Sequence, residues 1–384
     1  MISSRTKTFA FVAAAFLCGC SYIHTERLFR PGANEWLMYG GNPGRTNVSA
    51  DELSPPLIKM WQYNAGAGLS GYSTAVADST IFVGTLAGEL QLVDIATGKG
   101  TGSTDFGSAI AGTPLVDNDI VFIPLAHDEI SLIAYNVRSS KNEWQRALGD
   151  IESSPLLIEE KLLVTTVGGK LYCLDKHTGE EVWKFTLPRS NGGNMIHSSP
   201  ATDGSLVFFG TDSGNIYALG LLDGKLRWEA NAGGTIVSSP SVSGGKVIIG
   251  SIGKSCSAFD AATGAMVWRR DLGAPVFSSQ AVDGRHVYVG TTGHVFYCLN
   301  KDDGSVVWTY TASTLFNATP LVAGDIVYIG CADKNLYAFR SNTGQLVWQY
   351  KMEGRIKTMP IAWRNYLIVM SEDDVVVGLK GAKQ

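Results

Sequence analysis

Tryptophan recurs in this chain at a spacing that few folds can accommodate. Trp144, Trp183, Trp228, Trp268, Trp308 and Trp348 lie 39, 45, 40, 40 and 40 residues apart. Gly179, Gly224, Gly264, Gly304 and Gly344 each stand four residues before one of them, and Ser140 takes that place before Trp144. A unit repeated at such a period belongs to a solenoid or a propeller, because it cannot bury its apolar face alone and must stack on its neighbours.

The unit from Thr235 to Leu272 decides between the two. It holds four short apolar runs, Ile236–Pro240, Lys246–Gly250, Cys256–Asp260 and Ala265–Arg270, broken by Gly, Ser and Asp. Runs of this length, rich in Val and Ile, read as strands. The connection Asp260-Ala261-Ala262-Thr263-Gly264 reads as a tight turn, where Asp caps its own backbone and Gly accepts positive φ. Four antiparallel strands in ~40 residues make one propeller blade.

A small polar pair before Pro marks the blade starts, at Pro114, Pro155, Pro200, Pro240, Pro320 and Pro360. Ala75 and Gln280 take the Pro place in two more, after Ser73-Thr74 and Ser278-Ser279, which makes eight. The outer strand also occurs eight times, with Gly102 replacing Trp once and Trp61 standing ahead of the first start. No Trp strand follows the last start. The prediction is an all-β, eight-bladed propeller over residues 57–380, with Leu57–Tyr63 closing the ring as the outer strand of the last blade. Closure leaves only short, protected strand edges.

The pattern Ala258-x-Asp260-x-x-Thr263-Gly264-x-x-x-Trp268 resembles the outer-strand signature of quinoprotein-type (PQQ-like) propellers, with departures at Gly220 and Arg340. The segment Trp36-x-x-x-Gly40-Gly41-Asn42-x-x-Arg45-Thr46 is similar to the lead-in of those families. The resemblance implies the fold and leaves the activity open, since one propeller hosts unrelated functions.

The first residues stand outside the ring. Arg5 and Lys7 precede the apolar stretch Phe9–Leu17, and small residues follow, which reads as a secretory signal too short to span a membrane. Leu17-Cys18-Gly19-Cys20 resembles a bacterial lipobox, with Cys18 where Ala or Ser is commoner. That resemblance implies loss of residues 1–19 and acylation of Cys20; an ordinary cleaved signal or an uncleaved anchor is the alternative. Ser21 after the cysteine, in place of Asp, implies outer-membrane sorting. Two acyl chains suffice for stable anchoring. Residues 20–56 then form a lipid-anchored tether, 21–35, followed by the lead-in. Without Arg5 and Lys7 the balance is 29 basic to 35 acidic side chains, with no basic stripe, so nucleic acid is not the expected partner.

Catalytic patterns are weak. Quinoprotein dehydrogenases are much longer, hold the quinone against an adjacent cysteine pair, and bind calcium through Glu, Asn and Asp. Here Cys173, Cys256, Cys298 and Cys331 fall in four different blades. They read as buried free thiols, with a Cys256–Cys298 link between neighbouring blades conceivable. Calcium needs six or more oxygen ligands, whereas Asp94, Asp175 and Asp260 recur at one hairpin and read as turn residues. His24, His127, His177, His197, His286 and His294 lack metal-ligand spacing. Gly192-Gly193 and Gly244-Gly245 read as loop glycines. The serine pairs repeat from blade to blade, which assigns them to strand-start hydrogen bonding. Trp61 and the six repeat tryptophans read as structural plates between blades. No catalytic, metal-binding or cofactor-binding residue is expected.

Binding in a propeller usually falls where the innermost strands begin. Four residues before the Pro place the series is Gly71, Ile110, Ile151, Ile196, Ile236, Val276, Phe316 and Ile356, a packing position. One residue later it becomes Tyr72, Ala111, Glu152, His197, Val237, Phe277, Asn317 and Lys357, and the period fails. Two charged pairs stand out, Asp150 with Glu152 in blade three and Arg355 with Lys357 in blade eight. Strand alternation would place both members of each pair on one side. Asp150, Glu152, His197, Arg355 and Lys357 are the candidate partner-binding residues; a solvated rim is the alternative.

Size, lipobox and eight blades together resemble the BamB family, lipoproteins of outer-membrane β-barrel assembly. That family implies capture of the barrel subunit's periplasmic domain through an Arg and acids just before such strand starts. Asp150 to Pro155 matches its acidic pattern Asp-x-Asp-Thr-Thr-Pro. The Arg expected in an adjacent blade is absent at the Pro114 and Pro200 starts, and Arg355 has the right register in another blade. The expectation is a non-enzymatic, cofactor-free, monomeric ring, lipid-anchored on the periplasmic side of the outer membrane. A periplasmic or cell-surface propeller for a sugar, peptide or other protein, and a degenerate quinone-dependent dehydrogenase, are the alternatives.

Overall fold

In the computed structural model, residues 23, 25, 28–32, 34–72, 74–188 and 195–381 are described, and none of them is helical. The signal residues 1–19, Cys20, His24 and Gly192-Gly193 lie outside them. Eight antiparallel sheets carry four blade strands each, and the innermost strands of neighbouring blades touch around a channel. The protein is an eight-bladed β-propeller.

Blade five shows how the repeat sequence becomes structure. Its strands, from the channel outward, are Ser241–Ser243, Lys246–Ser251, Ser255–Asp260 and Met266–Asp271. The two middle strands are buried on both faces, which accounts for their unbroken apolar runs. The outer strand buries Trp268 and leaves Met266 and Val267 exposed. A bulge at Val267 sets Trp268 opposite Ala258 and Met266 opposite Phe259, and turns the indole inward. The first apolar run differs from expectation. Ile236–Pro240 is not strand; pairing starts only at Ser241. Pro240 has no N–H to give a ladder, and the residues before it approach the channel as irregular backbone.

Those approaches are fastened by their hydroxyls. The N–H groups of Thr113, Ser154, Ser199, Ser239 and Ser279 donate to the Ser154, Ser199, Ser239, Ser279 and Thr319 side chains of the next blade, at 2.8–3.2 Å. The polar pair before Pro thus forms a belt that joins blade to blade, and buried backbone donors are satisfied in a segment without a ladder.

The tryptophans join the blades again farther out. The indole N–H groups of Trp61, Trp144, Trp183, Trp228, Trp268 and Trp308 donate to carbonyls of Ile95, Lys176, Leu221, Ala261, Lys301 and Ser341 in the following blade. The turn glycine lies flat on the ring: a Cβ on Gly264 would come 2.6 Å from Trp228. At the one seam where Gly102 replaces Trp, the glycine faces Ile23, and Ser140 donates to the Ile23 carbonyl. Ser140 can stand where the other blades need glycine because no indole covers it.

Ring closure follows the predicted route. Leu57–Asn64 pairs antiparallel with Val375–Gly381 and completes the blade begun by Ile361–Trp363 and Tyr366–Ser371. The lead-in does more than expected. Backbone N–H groups of Val76, Val116, Thr202, Val242, Val282 and Val322 donate to carbonyls of Trp36, Leu37, Pro43, Gly44, Thr46 and Asn47. Residues 36–49 therefore circle the channel and cap the exposed edges of the innermost strands. The segment read as a tether is also docked where it is described: Ile23 and Phe29 are buried, and the Phe29 ring meets Phe82 edge-on at 5.4 Å. The four cysteines are free and buried, and burial pushes the Cys256 thiol up to about 12.

Candidate functional site

The eight approaches lead to one channel mouth. Tyr72, His197, Val237, Phe277, Asn317 and Lys357, six of the positions where the period fails, line a cavity of about 490 Å³. Tyr39 of the lead-in forms its floor, with its ring against Tyr72 at 5.2 Å and its hydroxyl 3.0 Å from that of Thr319. Burial pushes both tyrosine hydroxyls up, so they remain protonated donors.

A second series of residues shapes the rim. The loop after each second strand donates one N–H to the approach segment, from Leu86, Ala126, Val167, Asp212, Ile252, Thr292, Ala332 and Glu372. Only blades four and eight place an acid there, and in a ring of eight those blades face each other. Asp212 and Glu372 were not among the sequence candidates. The same blade-by-blade comparison, carried one strand further along the repeat, reveals both.

At blade four, His197 Nδ1 lies 2.9 Å from Asp212 Oδ1, and its Nε2 lies 3.7 Å from Glu152 Oε2. Tyr72 Oη donates to the His197 carbonyl at 3.2 Å. At blade eight, Glu372 is gripped by Arg355 Nε and by Lys357 Nζ, the latter at 2.8 Å. Burial opposes ionisation of Glu372, but the two cations outweigh it and hold the carboxyl below its ordinary range. The blade-eight cluster keeps one positive charge in excess, and the blade-four cluster is acidic.

The structure thus brings Glu152 to His197 and Arg355 to Lys357, and separates Asp150 from Glu152. Asp150 turns toward blade two, accepts the His127 N–H at 3.2 Å and faces its ring at 3.5 Å. Strand alternation does not govern this pair, because residues 150–155 precede the strand Leu156–Ile158.

Arg45 lies beneath the floor and is wholly buried. It donates to carbonyls of Pro200, Tyr39, Ser154 and Pro155, and its guanidinium stands 5.4 Å from the Tyr39 ring centre. No described carboxylate pairs with it. Burial lowers its pKa to about 10, which leaves it charged at neutral pH. Among the described residues, no group of three or more His, Cys, Asp or Glu is arranged to hold a metal ion.

A family model described as outer membrane protein assembly factor BamB matches residues 58–197, 167–275 and 253–383, which together span the ring. The chain belongs to the BamB family. BamB of Yersinia pestis is 26% identical over 241 residues, 59% of this chain and 58% of that protein. BamB of Burkholderia pseudomallei is 28% identical over 191 residues, 48% of this chain and 49% of that protein. The matches therefore span about half to three-fifths of those relatives. The crystal structure of BamB from Moraxella catarrhalis superposes with a TM-score of 0.72 at 19% identity, covering 85% of this chain and all of that one. Quinohemoprotein alcohol dehydrogenase from Comamonas testosteroni superposes at 0.79 with 13% identity, covering 91% of this chain and 81% of that enzyme. Likeness at these identities carries the fold, which an assembly factor and a dehydrogenase share.

Proposed function

We propose that the protein is a non-enzymatic scaffold of outer-membrane β-barrel assembly, held by lipid at Cys20 on the periplasmic face of the outer membrane. The family match across the whole ring is the observation that carries this reading. The ring offers a rigid rim with opposed charge clusters, which suits capture of a periplasmic domain of a barrel-assembly subunit. Glu152 and His197 with Asp212 form one side of that rim, Arg355 and Lys357 with Glu372 the other, and Asp150 extends the acidic side toward blade two. Docking is passive: complementary charge steers and orients the partner, and no bond is made or broken.

Charge reversal tests it. Asp150→Lys with Glu152→Lys should reduce co-purification of the barrel-assembly complex at least tenfold while the circular dichroism spectrum and melting temperature stay close to wild type. Unchanged capture by the folded double variant would remove these residues from the interface.

A further inference from the structure

The seam between blades one and two lacks an indole, because Gly102 takes the tryptophan place in the outer strand Gly100–Asp105. Ile23 fills it. A Cβ on Gly102 would come 3.2 Å from the Ile23 Cα, and Ile23 is wholly buried in a cluster with Phe82, Leu92, Ile133 and Tyr135. The chain is fastened on both sides of this residue. The Ile23 N–H donates to Thr104 Oγ1 at 3.2 Å, and Ser140 of blade two donates to the Ile23 carbonyl. Farther along, the Phe29 N–H donates to Asp119 Oδ1 at 3.0 Å and its ring meets Phe82.

These partners give the segment a direction. Gly100–Asp105 runs toward the mouth, where the Phe106 N–H donates to Gly88 of a rim loop. Ser140 lies in the turn between the third and fourth strands of blade two, on the side away from the mouth. The chain therefore enters the seam at the outer edge, beside Thr104, and passes on toward the turn side. Three peptide links join Ile23 to Cys20, and in any arrangement they span at most about 11 Å. An acyl chain on Cys20 must also cross the headgroup layer, which takes about 5–7 Å of that reach. About 4–6 Å then remain between Ile23 and the membrane surface. Gly102 stands about 10 Å from the mouth end of its strand, and the connection to blade two lies beyond that end. The reach is too short to lay the mouth flat on a bilayer, and the chain leaves Ile23 on the side away from the turns.

We propose that the outer edge of blades one and two is a membrane-docking surface, where lipid headgroups lie against the exposed side chains of Thr101 and Asn142. Both ends of the channel then open sideways, and the charged rim faces along the membrane toward a partner standing beside the ring. This rests on the acylation of Cys20 proposed above and goes beyond it, since an anchor on a free tether fixes no orientation.

Energy transfer tests it on the full-length protein, purified from membranes and reconstituted into vesicles of phosphatidylethanolamine and phosphatidylglycerol with an acceptor dye on the headgroups. A donor dye is placed at Thr101→Cys, Asn142→Cys, Val307→Cys or Phe277→Cys, while the native ring thiols are buried and stay unlabelled. Transfer should be at least threefold stronger from Thr101→Cys and Asn142→Cys than from Val307→Cys, which lies on blade six across the ring, with Phe277→Cys at the mouth in between. Equal transfer from all four, or the strongest from Phe277→Cys, overturns the proposal and leaves the anchor standing. Mass spectrometry of the intact protein separates the two readings: a Cys20 without acyl chains overturns both. A flexible Gly-Ser insertion of about 20 residues after Ser21, reaching about 25 Å, should equalise the four labels. Ile23→Asp, which undocks the seam, should do the same. If that variant does not fold, the insertion decides the matter, and a difference that survives it overturns orientation by the short link.

Discussion

Among the described residues Arg45 is the largest wholly buried side chain, and it serves as the hub of the channel. One guanidinium reaches two blades and the lead-in through carbonyls of Pro200, Ser154, Pro155 and Tyr39. Its planar fork suits several acceptors at once, which a lysine ammonium does not. A buried charge is tolerated only with such a set of dipoles around it. Arg45→Met should therefore strand several buried carbonyls and cost about 3 kcal/mol or more, read as a lowered urea midpoint. Arg45→Lys should recover only part of that loss. A Met variant as stable as wild type would show that the lead-in does not brace the ring. At this scale the sequence offered Arg45 only as one letter of a lead-in pattern, because its four acceptors are up to 155 residues distant.

Elements depend on small contacts repeated at every seam. Gly264 has φ +73° and presses on Trp228, whereas Gly273 has φ +72° and open space where a Cβ would go. Both would strain an alanine by about 1–2 kcal/mol through the left-handed backbone. Only Gly264→Ala would also drive a methyl into an indole, and overpacking adds about 1–3 kcal/mol. Gly264→Ala should thus be less stable than Gly273→Ala by about 2 kcal/mol in equilibrium unfolding. Equal effects would mean that backbone conformation, and not the indole contact, selects glycine in the turn. The four-residue interval from Gly to Trp was plain in the sequence. Its cause was not, since each glycine covers the tryptophan of the preceding blade and not the one that follows it.

The whole molecule is held by the join between its two ends. Trp61 donates to the Ile95 carbonyl of blade one, and its ring lies against both Gly98 and Gly378. It ties the closing strand, the first blade and the last blade together. Trp61→Ala should cost about 3–5 kcal/mol and raise deuterium exchange in Glu89–Asp94 and Val375–Gly381 together. Faster exchange in only one of these strands would contradict closure through this residue. The lead-in and the closing strand protect the ring differently, one covering inner strand edges and the other removing the open seam.

Much of the fold is a local and periodic property, and so the sequence alone determined it: eight blades, four strands in each, turn positions, and Leu57–Tyr63 as the closing strand. Alternation and turn chemistry act between near neighbours, and each blade repeats the same solution. Part of the mouth was also legible, because residues that fail to repeat stand out against those that do. The rest was decided by tertiary structure. Asp212 and Glu372 became rim residues only when loops from blades four and eight met the approach segments, and Asp150 parted from Glu152 because irregular backbone carries no alternation. Ile23 fills the seam left by Gly102 across 79 residues, and the lead-in circles a channel that exists only after the ring has closed. Contacts of that span arise from the shape of the assembled ring, which no local pattern encodes.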